Sequence, residues 1–134
     1  MILFHYTRAK FVPSIMEHGL IPRATPRTVD CRDPAAQAEV AARRSNNIPV
    51  VWLTCEGDEW AGTRLRVRLE ANNKRLQLWL PWARTFSPDI DDVCTMARLQ
   101  SAGPHVYQPE LHYVYLGTIP PHLIEVDPEW REAA

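Results

Sequence analysis

The chain has 134 residues, 46% of them apolar and 23% charged, with a formal net charge of -1. That length predicts one domain spanning residues 1–134 with a real hydrophobic core, and that charge counts against a dominant nucleic-acid surface. No apolar run approaches the ~18 residues of a membrane span, and Met1 leads into a strand rather than a charged leader, so the expected setting is cytoplasmic with no membrane partner.

Ile2 to Tyr6 reads as a first strand. Thr7 is the expected N-cap of a helix whose apolar face is Phe11, Val12, Ile15 and Met16, and Gly19 is its expected left-handed end. Residues Pro22 to Arg32 read as loop. Asp33-Pro34 then opens an Ala-rich helix to Arg44, and Asn46-Asn47 is a turn. Ile48 to Thr54 has the β-branched and aromatic content of a buried strand.

Arg64 to Leu69 alternates arginine with Leu65, Val67 and Leu69, the period of a strand with one solvated face. After a turn at Asn72-Asn73, Leu76 to Leu80 reads as another strand. Ser87-Pro88-Asp89 starts a helix with an acidic first turn and apolar positions Ile90, Val93, Cys94 and Ala97, ended by Gly103-Pro104. Leu111 to Ile119 and Leu123 to Val126 read as a strand pair broken by Pro120-Pro121. Strands outnumber helices, so the expected class is α+β with a twisted, mostly antiparallel sheet.

The cysteines Cys31, Cys55 and Cys94 form no CxxC pair and read as reduced thiols. The histidines His5, His18, His105, His112 and His122 fall outside the HxxxH and HExxH spacings of helix-borne metal sites, so no metal is expected. Glu56, Asp58 and Glu59 read as a solvated acidic loop or helix start. Leu78-Trp79-Leu80-Pro81-Trp82 reads first as core, with a ligand cleft or partner surface as the alternative.

Three segments, in order, carry a resemblance. Phe4-His5-Tyr6-Thr7, followed by a short helix ending in Gly19-Leu20-Ile21-Pro22, resembles the opening of ADP-ribosyltransferase domains. In the poly(ADP-ribose) polymerase branch that opening is a strand ending in H-G-S/T, then a helix of the form xxILxxGLxxxP. Val50-Val51-Trp52-Leu53-Thr54 resembles the family's GIYFA strand, with Trp52 in place of Tyr. Pro109-Glu110 ahead of Tyr113-Val114-Tyr115 resembles its NEYIVY strand.

The resemblance implies an ADP-ribosyltransferase-like fold in which these segments surround a cleft for NAD. It implies that His5 bonds ribose hydroxyls of NAD, that the Tyr6 backbone brackets the carboxamide, and that Trp52 or a nearby tyrosine stacks on the nicotinamide ring. Thr7 and Thr54 fall among the cofactor-binding positions, and Arg8 and Arg64 are placed to meet the pyrophosphate. Glu110 is the implied catalytic carboxylate, stabilising positive charge as the nicotinamide–ribose bond breaks. Aligning Val114-Tyr115 with the family's IVY shifts that slot to Leu111, and a one-residue slip reverses the sheet face. His112 shares the face of Glu110 and is the second catalytic candidate. Tyr6, where the polymerases have Gly, narrows the nicotinamide site.

The implied activity is mono-ADP-ribosylation of a protein or nucleic-acid acceptor, toxin-like, with a protein partner or antitoxin as a further expectation. An RNA 2'-phosphotransferase-like enzyme and a non-catalytic interaction module of the same fold are the alternatives.

Overall fold

A computed structural model describes residues 1–23, 48–99 and 108–130. Six strands form: β1 (Ile2–Thr7), β2 (Val51–Thr54), which is buried throughout, β3 (Thr63–Arg68), whose apolar residues alternate with arginine, β4 (Leu76–Leu78), β5 (His112–Tyr115) and β6 (Ile124–Val126). They form one sheet in the order β4-β5-β2-β1-β3-β6, with every neighbouring pair antiparallel. The class is α+β. Residues 24–47 and 100–107 lie outside the described part, and with them the expected Ala-rich helix and the Gly103-Pro104 stop.

Both faces of the sheet carry core. On one, Leu3, Val51, Leu53, Leu65, Val67 and Tyr115 pack with Leu20, Ile119 and Ile124. Helix α1 (Val12–His18) covers this face through Val12 and Ile15. On the other face, Trp52 and Val114 meet Trp79 and Ala83 of α2 (Trp79–Arg84), and Ile90, Val93 and Cys94 of α3 (Ile90–Leu99). That second core covers β5 and β2. Farther along the same face, the register aligns Tyr6, Phe4 and Ile2 of β1 with Arg64, Arg66 and Arg68 of β3.

Several expected elements differ. Thr7 does not cap a helix. It remains in β1 opposite Thr63, and a 3-10 turn, Ala9–Phe11, precedes α1. Pro13, in the first turn of α1, suits that position because its missing N–H has no intrahelical acceptor there. Phe11 and Met16 are exposed. The strand expected over Leu76 to Leu80 stops at Leu78, and α2 begins at Trp79. Pro81 falls in the first turn of α2, where proline costs no hydrogen bond, while Trp79 becomes fully buried.

The strand pair expected near the C-terminus also fails. β5 lies between β4 and β2, whereas β6 lies at the far edge against β3. The chain between them is captured by Leu20, which exchanges both backbone hydrogen bonds with Ile119 at 3.0 Å. Gly19 ends α1 with a φ of +88°, and a Cβ at this position would run into the Ile119 carbonyl. Glycine is therefore required by the close approach as well as by the backbone conformation.

Candidate functional site: a cleft at the β1–β2 seam

β1 holds register with β3 along its whole length. Its register with β2, among the described residues, is the pair Phe4 opposite Thr54. Beyond that pair the strands part, and a cleft of about 370 Å³ opens between them and α1. His5, Tyr6 and Thr7 line it from β1, Phe11 and Ile15 from the turn and helix that follow, and Val51 and Trp52 from β2.

The His5 side chain bridges the seam where the ladder lapses. Its Nδ1 lies 2.8 Å from the Trp52 carbonyl. A carbonyl oxygen only accepts, so Nδ1 carries a proton and donates it, which leaves Nε2 as the acceptor of the neutral ring. Trp52 is nine-tenths buried, and its indole tilts against Trp79 with centroids 6.0 Å apart. It therefore belongs to the core under α2 even though the residue borders the cleft.

The second catalytic candidate sits elsewhere. His112, opposite Thr54 across the β2–β5 ladder, is buried, as is Asp58. Its Nε2 lies 2.9 Å from Asp58 Oδ2. The same oxygen accepts from Thr54 Oγ1 at 2.8 Å and from Trp60 Nε1 at 3.0 Å. Thr54 Oγ1 also lies 3.2 Å from the Leu111 carbonyl. Rings of Trp60 and Trp79 stand 6.2 Å from the imidazole on two sides. Burial opposes ionisation of Asp58, but the hydrogen bonds from His112, Trp60 and Thr54, with the His112 charge, outweigh it and hold the carboxyl below its usual range. Asp58 is thus the hub of a closed polar node and not part of a solvated loop. Neither Thr54 nor His112 borders the seam cleft.

Glu110 lies in a 3-10 turn, Pro109–Leu111, at the head of β5. Its exposed carboxylate meets Arg98 of α3 at 2.7 Å. α3 covers the sheet face opposite the α1 face, so the structure does not bring Glu110 into the cleft beside His5. The residues Tyr6 and Thr7 also border a larger groove of about 920 Å³, together with Arg8, Arg64 and Trp130. Arg64 is held there by Asp127, with Nη2 at 2.6 Å and Nε at 2.7 Å from Oδ2. Burial works against the Arg64 charge, yet hydrogen bonds with Tyr6 and Asp127 raise its pKa further. Burial pushes the Tyr6 phenol up, against the opposing pull of Arg64.

Asp58 and Trp130 are the residues that inspection of the sequence missed. Asp58 stands among acidic neighbours that are exposed, and its partner His112 is 54 positions away. No local pattern announces such a pair. Searches of family models, curated proteins and solved structures find no match to this chain.

Proposed function

We propose that the protein binds NAD at the β1–β2 seam and transfers ADP-ribose from it to a macromolecular acceptor, as a mono-ADP-ribosyltransferase of ADP-ribosyltransferase-like fold. One observation carries the proposal. The three segments that resemble the family, though separated by tens of residues, fall on β1, on β2 and at the head of β5, three consecutive strands of the sheet, and a cleft opens between the first two. His5 is fixed there by the Trp52 carbonyl, and its imidazole lines the cleft where this reading sets a ribose of NAD.

In this reading the nicotinamide–ribose bond breaks through an oxocarbenium-like state, and a carboxylate near that carbon lowers the barrier. Glu110 is the residue of the right type at the right strand end. The Arg98 pair holds it on the α3 side, so transfer requires that this exposed pair open. Surface pairs of this kind are worth ~0–1 kcal/mol, so the pair is a small part of the cost; the turn at the head of β5 must also bring the carboxylate from the α3 side to the seam. The same pair favours a second reading, a cleft that binds NAD without transferring from it.

Titrating the purified protein with NAD while following tryptophan fluorescence, then assaying release of nicotinamide, separates the outcomes. Saturable binding with release supports transfer. Binding without release supports the second reading, and absence of binding removes both.

A further inference from the structure

A net charge of -1 conceals a local segregation. Arg64, Arg66 and Arg68 alternate with Leu65 and Val67, both fully buried. Burying that pair drives all three guanidinium groups to the opposite face of β3. Successive arginines are then about 6.6 Å apart along the strand, the scale that separates neighbouring phosphates of an extended nucleic-acid strand.

Concave ground lies at both ends of the row. A pocket of about 190 Å³ is bordered by Arg66, Arg68, His122 and Glu125. The 920 Å³ groove, bordered by Arg8, Arg64 and Trp130, lies at the other end and shares Tyr6 and Thr7 with the seam cleft. Among the described residues, two carboxylates pair with the row. Asp127 is engaged by Arg64, and Glu125, half exposed, stands 3.4 Å from Arg66. Among the described residues, Arg8 and Arg68 have no carboxylate partner.

Arg64 itself is held between rings, 4.3 Å from the Phe4 centroid and 4.6 Å from that of Trp130. Trp130 is anchored further by its Nε1, which donates to the Gly62 carbonyl at 2.9 Å. The result is a fixed, half-buried indole at the head of a line of cations. Backbone neutralisation by cations beside an aromatic platform is the chemistry that captures single-stranded nucleic acid.

We infer that this face binds a single-stranded nucleic acid, its phosphates along Arg66 and Arg68 and a base against Trp130. The strand would then enter the groove that adjoins the seam cleft. Its role as acceptor rests on the transfer reaction proposed above; binding itself does not, and is measured without NAD.

The test is fluorescence anisotropy of the full chain with a short fluorescein-labelled single strand over a range of salt. Affinity should fall with salt at a slope of roughly 0.7 per phosphate contact. The double variant Arg66→Glu/Arg68→Glu should weaken binding about tenfold or more and reduce the slope by about 1.4. Trp130→Phe should preserve binding, whereas Trp130→Ala should weaken it roughly fivefold or more with little change in slope. Circular dichroism confirms that each variant is folded, and Arg66→Gln/Arg68→Gln replaces the reversal if it is not.

Salt-insensitive binding, binding untouched by the arginine variants, or equal affinity for a duplex of the same length would overturn the inference. Strand binding without NAD binding would leave this inference standing and remove the transfer reaction. The converse result would do the reverse.

Discussion

His5 and His112 flank the same strand, one on β1 and the other on β5, with β2 between them. His112 sits where the ladder is continuous, from Thr54 opposite His112 to Val51 opposite Tyr115. There the imidazole is enclosed and its charge partner, Asp58, is enclosed with it. His5 sits where the ladder to β2 has lapsed, and its side chain takes over a main-chain hydrogen bond beside an open cleft. The backbone, rather than the residue type, decides which histidine is enclosed and which borders a cleft.

Disabling the enclosed member should have the largest effect. Asp58→Ala leaves His112, Thr54 and Trp60 without their shared acceptor, and breaking a buried charge pair typically costs ~3–5 kcal/mol. Urea unfolding should register a loss of that size; a change below about 1 kcal/mol would show that the node behaves like a surface pair. The direction with pH follows from the depressed Asp58 carboxyl. Its contribution is complete above the ordinary carboxylate value of about 3.9 and disappears as pH falls through the lower folded value. The difference in stability between wild type and Asp58→Ala should therefore shrink in acid. A difference that grows on acidification would reverse the assignment. Asp127, whose carboxyl is also depressed despite burial, by the Glu129 N–H and by Arg64, remains in both proteins and cancels from the comparison.

Glu110→Gln tests whether chemistry belongs to the exposed carboxylate at the head of β5 or to the enclosed histidine two residues on. Transfer should drop roughly a hundredfold with NAD affinity little changed. If transfer survives this substitution but is lost in a folded His112→Ala protein, the enclosed histidine is the chemical group and the contrast drawn above is inverted.

The smallest effect should come from His5→Ala. It removes one hydrogen bond to Trp52, worth ~0.5–1.5 kcal/mol, so stability should hardly move while NAD affinity falls about tenfold for a lost ribose contact. A lowered melting temperature with unaltered NAD binding would place His5 in the same structural class as His112.

Strong periodicities were legible from the chain alone. The alternation over Arg64 to Leu69 and the apolar spacing of Ile90, Val93 and Cys94 predict β3 and α3, and both form. Leu76 to Leu80 misleads because a short apolar run does not distinguish strand from helix; the packing of Trp79 decides it. Pro120-Pro121 correctly marks a break, but adjacency in sequence says nothing of the crossing that places β6 at the opposite edge. At the candidate site, His5 and Tyr6 could be picked out by motif, whereas Asp58 looked like one more exposed acid because its role exists only after β5 arrives.

The clasp between Gly19 and Ile119 bears on the order in which the molecule can assemble. β1 emerges first, yet its seat lies near the middle of the sheet, and the segment behind it locks onto a residue one hundred positions later. Such distant pairings must meet their loop-closure entropy before any contact offsets it, and chains rich in them fold slowly. A nascent chain that has reached β3 can form the β1–β3 ladder but still lacks Ile119, β5 and β6. The apolar residues Leu3, Leu65 and Val67 therefore remain without a complete cover until Ile119 and Ile124 have been made, and truncations ahead of Ile119 should expose the centre of the sheet instead of trimming its edge.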